Sequence, residues 1–161
     1  KNGGEKMKKI TVICSSLLFG LIVSLIVSVS VLFVSKFFIG GTMDFGEDKW
    51  LYMTLAIPVM IGFGVLGLYF YNHPNLNNKQ MWKITLISVL AISLISGTVG
   101  MIISDVIIYG SQGINFEGRI IWGVLYSLLA LPITLLIGKL FIEILAEFVG
   151  IMKNKDVVTA K

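Results

Sequence analysis

Residues 84–103 read ITLISVLAISLISGTVGMII, twenty consecutive positions without one charged side chain. Wound into an α-helix at 1.5 Å per residue, this stretch is about 30 Å long, the hydrocarbon thickness of a bilayer. Three further runs have the same character: residues 10–34, 51–71 and 120–138, none with a charge in its interior. A soluble domain of 161 residues has no core large enough to hide four such rods. The sequence therefore predicts an all-α integral membrane protein, a bundle of four transmembrane helices, with residues 7–138 forming the membrane domain.

Composition agrees. The chain is 56% hydrophobic and 14% charged, against a usual charged share of about 25%. Its net charge of +4 comes from basic residues scattered through short loops and termini. That distribution predicts no nucleic-acid partner and suits contact with membrane lipid. Cys14 is the sole cysteine, which excludes an intramolecular disulfide, and its place in an apolar run reads as packing.

The start of the chain is unusual. Lys1 to Lys6 precede Met7-Lys8-Lys9, which reads like a bacterial start, and Gly3-Gly4-Glu5 can be encoded by a ribosome-binding sequence. Residues 1–6 are thus expected to be a non-native leader and are set aside from fold reasoning. The run that follows is too long for a signal peptide's apolar core and lacks a small-residue cleavage site. It is read as an uncleaved first helix.

The basic residues give the bundle a direction. Lys1, Lys6, Lys8, Lys9, Lys79, Lys83, Lys139, Lys153, Lys155 and Lys161 fall on one side of four spans, ten of thirteen. Without residues 1–6 the split is eight to three. The positive-inside rule then predicts both termini in the cytoplasm of a cell membrane. Trp50, Trp82, Tyr109 and Trp122 sit near predicted span ends, as an interfacial aromatic belt requires.

Lipid supplies no hydrophobic drive between helices, so small residues that allow close approach mark the contact faces. Ser16, Gly20, Ser24 and Ser28 are spaced by four in the first span; Ser96, Gly100 and Ser104 in the third; Ala130, Thr134 and Gly138 in the fourth. The second span carries Gly62, Gly64 and Gly67. These are the expected helix-packing residues. Pro58 and Pro132 lie inside the second and fourth spans and free the carbonyls of Thr54 and Leu128, so kinks are expected there.

After Gly138 the pattern changes. Lys139, Glu143 and Glu147 form a polar stripe amid Leu140, Phe141, Ile142, Ile144, Leu145 and Phe148. Residues 139–152 are expected to form a cytoplasmic amphipathic helix at the interface, docked on the protein's own loops or a partner, ahead of a basic tail at 153–161. The alternative keeps this stretch in the membrane with Lys139 and Glu143 paired.

Candidates for chemistry are few. Asp105 is the one acid near a span that has a functional reading. It follows twenty uncharged residues and is expected at the outer interface, reaching water, with a proton- or cation-linked role as the alternative. The acidic loop at 40–49, with Asp44, Glu47 and Asp48, does not match a calcium loop. His73 is the only histidine, which rules out a histidine-cluster metal site. No catalytic group, cofactor or metal is expected. The two aspartates of a four-helix signal peptidase, the Gly-x-Ser and membrane histidine of a rhomboid protease and the first-helix glutamate of a small multidrug transporter have no counterparts. The multiple aspartates of a phosphatidyltransferase are missing too. The reading is a non-enzymatic accessory, interaction or immunity-type subunit of a Gram-positive bacterial membrane, partnered by another membrane protein or a second copy. A small transporter or channel component using Asp105 is the alternative.

Overall fold

The computed structural model describes residues 2–39, 49–110 and 114–158. The acidic loop, with Asp44, Glu47 and Asp48, lies outside them. All the regular structure among the described residues is helical: α1 (Asn2–Ile39), α2 (Lys49–Asn72), α3 (Asn78–Ile95), a π-helical turn (Ser96–Gly100), α4 (Met101–Tyr109) and α5 (Phe116–Val158). The third, fourth and fifth of these run on without a break, so the chain makes four rods. Each rod is long and apolar enough to cross a membrane.

Local sequence explains the boundaries. Asn77 and Gln80 form a reciprocal capping box at the start of α3: the Gln80 N–H donates to Asn77 Oδ1 at 2.8 Å, and the Asn77 N–H donates to Gln80 Oε1 at 3.0 Å. Pro74 keeps the intervening turn from continuing α2. Gly110 closes α4 with φ +80°, its N–H donating to the Val106 carbonyl at 3.0 Å. At the head of α5, Asn115 Oδ1 accepts the Gly118 N–H at 2.9 Å. Both internal prolines are accommodated, and α2 and α5 remain continuous helices through Pro58 and Pro132.

α2 is the centre of the bundle and meets every other rod, whereas among the described residues α1 has no contact with α3, the π turn or α4. The α1–α2 seam is antiparallel and built from the small residues of both. Gly20 lies so close to α2 that a Cβ there would stand 2.9 Å from the Met60 Cα. Gly67 fits against the Ser16 side chain, and Gly64 against Leu17. Ser16, Ser24 and Ser28 are buried along this seam. Ser16 and Ser28 find no side-chain hydrogen-bond partner there, so they act as small volumes that let the helices approach.

α5 runs antiparallel to the third rod. Gly123 touches the backbone of Gly97, Ser127 bonds to Ser93, Gly138 rests on Val89, and Lys139 lies over Trp82. Its contact stripe is Gly123, Ser127, Leu131, Leu135, Gly138, Ile142, Leu145 and Val149. Ala130 is exposed and Thr134 half-buried, which shifts the expected face of α5. The Gly123–Gly97 crossing fixes the rotation of the helix, and Ala130 then falls about 60° off the line through Ser127.

Beyond Gly138 the helix does not break. α5 spans 43 residues, and its C-terminal part carries Ile142, Leu145 and Val149, each no more than 1% exposed. They close a core with Val12, Phe63, Leu66, Phe70 and Val89. Residues 139–152 are thus packed on the end of α2 and the start of α3. The stripe Lys139, Glu143, Glu147 is not uniformly solvated: Lys139 is buried, Glu143 intermediate and Glu147 exposed. Steps of four residues advance 400° around the helix, so the stripe winds about 80° away from the contact face by Glu147.

Candidate functional site

Two ends of the bundle can be distinguished by their side chains, an Asp105 end and a His73 end. The Asp105 end carries the more open arrangement. Asp105 sits one turn before the end of α4, and Arg119, the only arginine, lies in the first turn of α5. Arg119 Nε and Asp105 Oδ2 are 2.7 Å apart. The Asp105 side chain is 13% exposed and that of Arg119 46%. The carboxylate expected to reach water on its own is thus largely enclosed and engaged by a fixed cation.

The pair stands in the wall of two cavities. One, of about 590 Å³, is lined by Asp105, Tyr109, Asn115, Arg119, Trp122 and Tyr126 among others. The other, of about 240 Å³, lies on the side of Thr54 and Ser104 and shares Asp105, Tyr109 and Arg119. Trp122 and Tyr126, one turn apart on α5, stack with ring centroids 5.7 Å apart. The site offers a guanidinium, a carboxylate, an amide and aromatic faces within one concavity. Such a set binds and orients polar groups. Among the described residues no three His, Cys, Asp or Glu side chains converge to hold a metal ion.

The π turn controls how Asp105 is presented. The Met101 N–H is shared between the Ser96 carbonyl five residues earlier and that of Thr98. The turn before it is supported by hydroxyls: Thr98 Oγ1 donates to the Leu94 carbonyl at 2.6 Å. Ser127 Oγ on α5 lies 2.8 Å from the Ser93 carbonyl and 2.7 Å from that of Gly123, sharing one proton between them. Gly100 in this turn abuts the Thr54 carbonyl, the group that Pro58 leaves without its helical donor. Only a residue without a side chain allows that approach. Ser96, Gly100 and Ser104 are all buried on this side of the rod.

The His73 end holds different chemistry. Lys139 Nζ bonds to Glu143 Oε1 and lies 4.9 Å from the centroid of Trp82. Lys153 Nζ donates to the Tyr71 carbonyl at 2.9 Å, in the last turn of α2, and stands over the Tyr71 ring. A cation bonded to a terminal carbonyl satisfies an orphan acceptor and the negative end of the helix dipole. His73 stacks on Tyr69 with centroids 4.5 Å apart, its Nδ1 3.1 Å from the Tyr69 carbonyl. The Lys139–Trp82 and Lys153–Tyr71 contacts fasten α5 to α3 and to the end of α2.

Sequence reasoning missed Arg119 as a partner, and Gly123 and Ser127 as contacts. The last two carried a signal, a small pair spaced by four near the start of the fourth span. Arg119 carried none, because its pairing depends on the path of the α4–α5 connection.

No family model matches the chain, and no match is found among characterised proteins or solved structures. The class is the one the fold defines: an all-helical chain with four helices suited to crossing a membrane.

Proposed function

We propose that this chain is a multi-pass protein of a bacterial cell membrane with both termini in the cytoplasm, and that it serves as a non-catalytic accessory or interaction subunit. The lysine distribution supports that orientation, which puts the His73 end and the fastened C-terminal part of α5 on the cytoplasmic side. The observation that carries the functional reading is the Asp105–Arg119 contact at 2.7 Å. Transport of a proton or cation on this acid would require the contact with a permanent cation to be released, whereas the contact is made here. The α1–α2 seam is built of small and apolar side chains, as in a packing scaffold. The partner is a second membrane protein or another copy of the chain.

The test is a flux assay for protons and monovalent cations in liposomes, with wild type and Asp105→Asn, alongside crosslinking in native membranes. The accessory reading expects no flux above protein-free vesicles from either form and a stable crosslinked partner. A second reading, a small transporter or channel component, draws on the two cavities that meet at the ion pair. Flux in the wild type that disappears in Asp105→Asn would establish it and end the accessory reading.

A further inference from the structure

We infer that the cavity at the Asp105 end is a binding site for the zwitterionic headgroup of a phospholipid, with the phosphate on Arg119 and the ammonium against the Trp122–Tyr126 faces and Asp105. Three observations carry this. First, Asp105 engages Arg119 through Nε. Arg119 lines the cavity, and 46% of its side chain is exposed. A guanidinium held on one edge presents its remaining donors in a fixed fork, the geometry that fits phosphate. Asn115 lines the same cavity with its Oδ1 already committed to the Gly118 N–H, which leaves its amide Nδ2 as a second donor.

Second, the local charge does not suit a simple anion. The Arg119 charge is already balanced by Asp105, so a bound phosphate needs a cation brought with it. The stacked Trp122 and Tyr126 rings supply faces to which an ammonium is drawn.

Third, the surface beside the cavity is apolar. Ile121, Leu125 and Leu129 on α5 are exposed next to Trp122 and Tyr126, giving acyl chains a place to lie. That continuity favours a lipid over a free small zwitterion.

The experiment uses the full chain in nanodiscs of phosphatidylcholine doped with spin-labelled phosphatidylethanolamine or phosphatidylglycerol, and reads the immobilised fraction of each lipid. Wild type is expected to retain phosphatidylethanolamine about tenfold over phosphatidylglycerol, the scale of one charge-assisted contact. Trp122→Leu, at a side chain already exposed, and Arg119→Gln should each bring the ratio to within about twofold. Equal or greater retention of phosphatidylglycerol by the wild type overturns the proposal. So does an unchanged ratio in Trp122→Leu, whether or not Arg119→Gln folds. Displacement by soluble glycerophosphoethanolamine at concentrations matching the lipid would overturn the lipid assignment.

Discussion

The two halves of α5 solve the same packing problem by different means. Its C-terminal half inserts Ile142, Leu145 and Val149 into a filled core with Phe70, Phe63 and Val12. Its N-terminal half meets the third rod through Gly123 and Ser127, while Ile121, Leu125 and Leu129 stay exposed. In lipid the first arrangement is held by dispersion among many atoms, and the second by close backbone approach, a shared hydroxyl and one ion pair. A region with few packed side chains can open at low cost, and one with a filled core cannot. The large cavity beside Asp105 and the full burial of Leu145 follow from that difference.

The comparison can be broken most directly at Leu145. Leu145→Ala should cost about 2–4 kcal/mol in reversible unfolding in mixed micelles, through the cavity it leaves. Leu129→Ala, in the exposed part of the same helix, should cost less than about 0.5 kcal/mol. Equal losses would erase the distinction between the two halves. Gly123→Leu should come next, at about 1–3 kcal/mol, because its side chain meets the Gly97 backbone; crosslinking rates between cysteines placed on α4 and α5 would report the helices moving apart. At the ion pair, Asp105→Asn and Arg119→Gln should each cost about 1–2 kcal/mol, and the double variant less than their sum. Additive losses would mean that the contact contributes nothing. Among the variants that remove a contact, Lys153→Met should cost least, about 1 kcal/mol from the lost bond to the Tyr71 carbonyl, seen as faster proteolysis of the C-terminal helix.

The rods were legible in the sequence because hydropathy over twenty residues is a local property. The α1 string Ser16, Gly20, Ser24, Ser28 was visible for the same reason, and in the structure it lies on the face that meets α2. Features set by register were hidden. A π turn changes which carbonyl an amide selects, and no residue in SGTVG announces it. The pairing of Asp105 with Arg119 spans a connection whose path no periodicity encodes. The partner of Gly138 was also illegible, since its contact with Val89 depends on how α5 lies along α3.

The π turn has a consequence for how this chain tolerates length changes. Each helical residue advances the azimuth by about 100°, and a five-residue hydrogen-bond step accommodates one residue more than the regular ladder. Loss of a single residue between Ser96 and Gly100 would let the rod relax to a regular helix with nearly the same phase on both sides, because five residues in the wide turn advance about as far around the axis as four in a regular helix. Conversion to regular helix with all five residues kept would instead turn Asp105 away from Arg119 by about 100° with both side chains intact. The five-residue turn acts as a phase adjuster, and the angular setting of the acid is stored in its width.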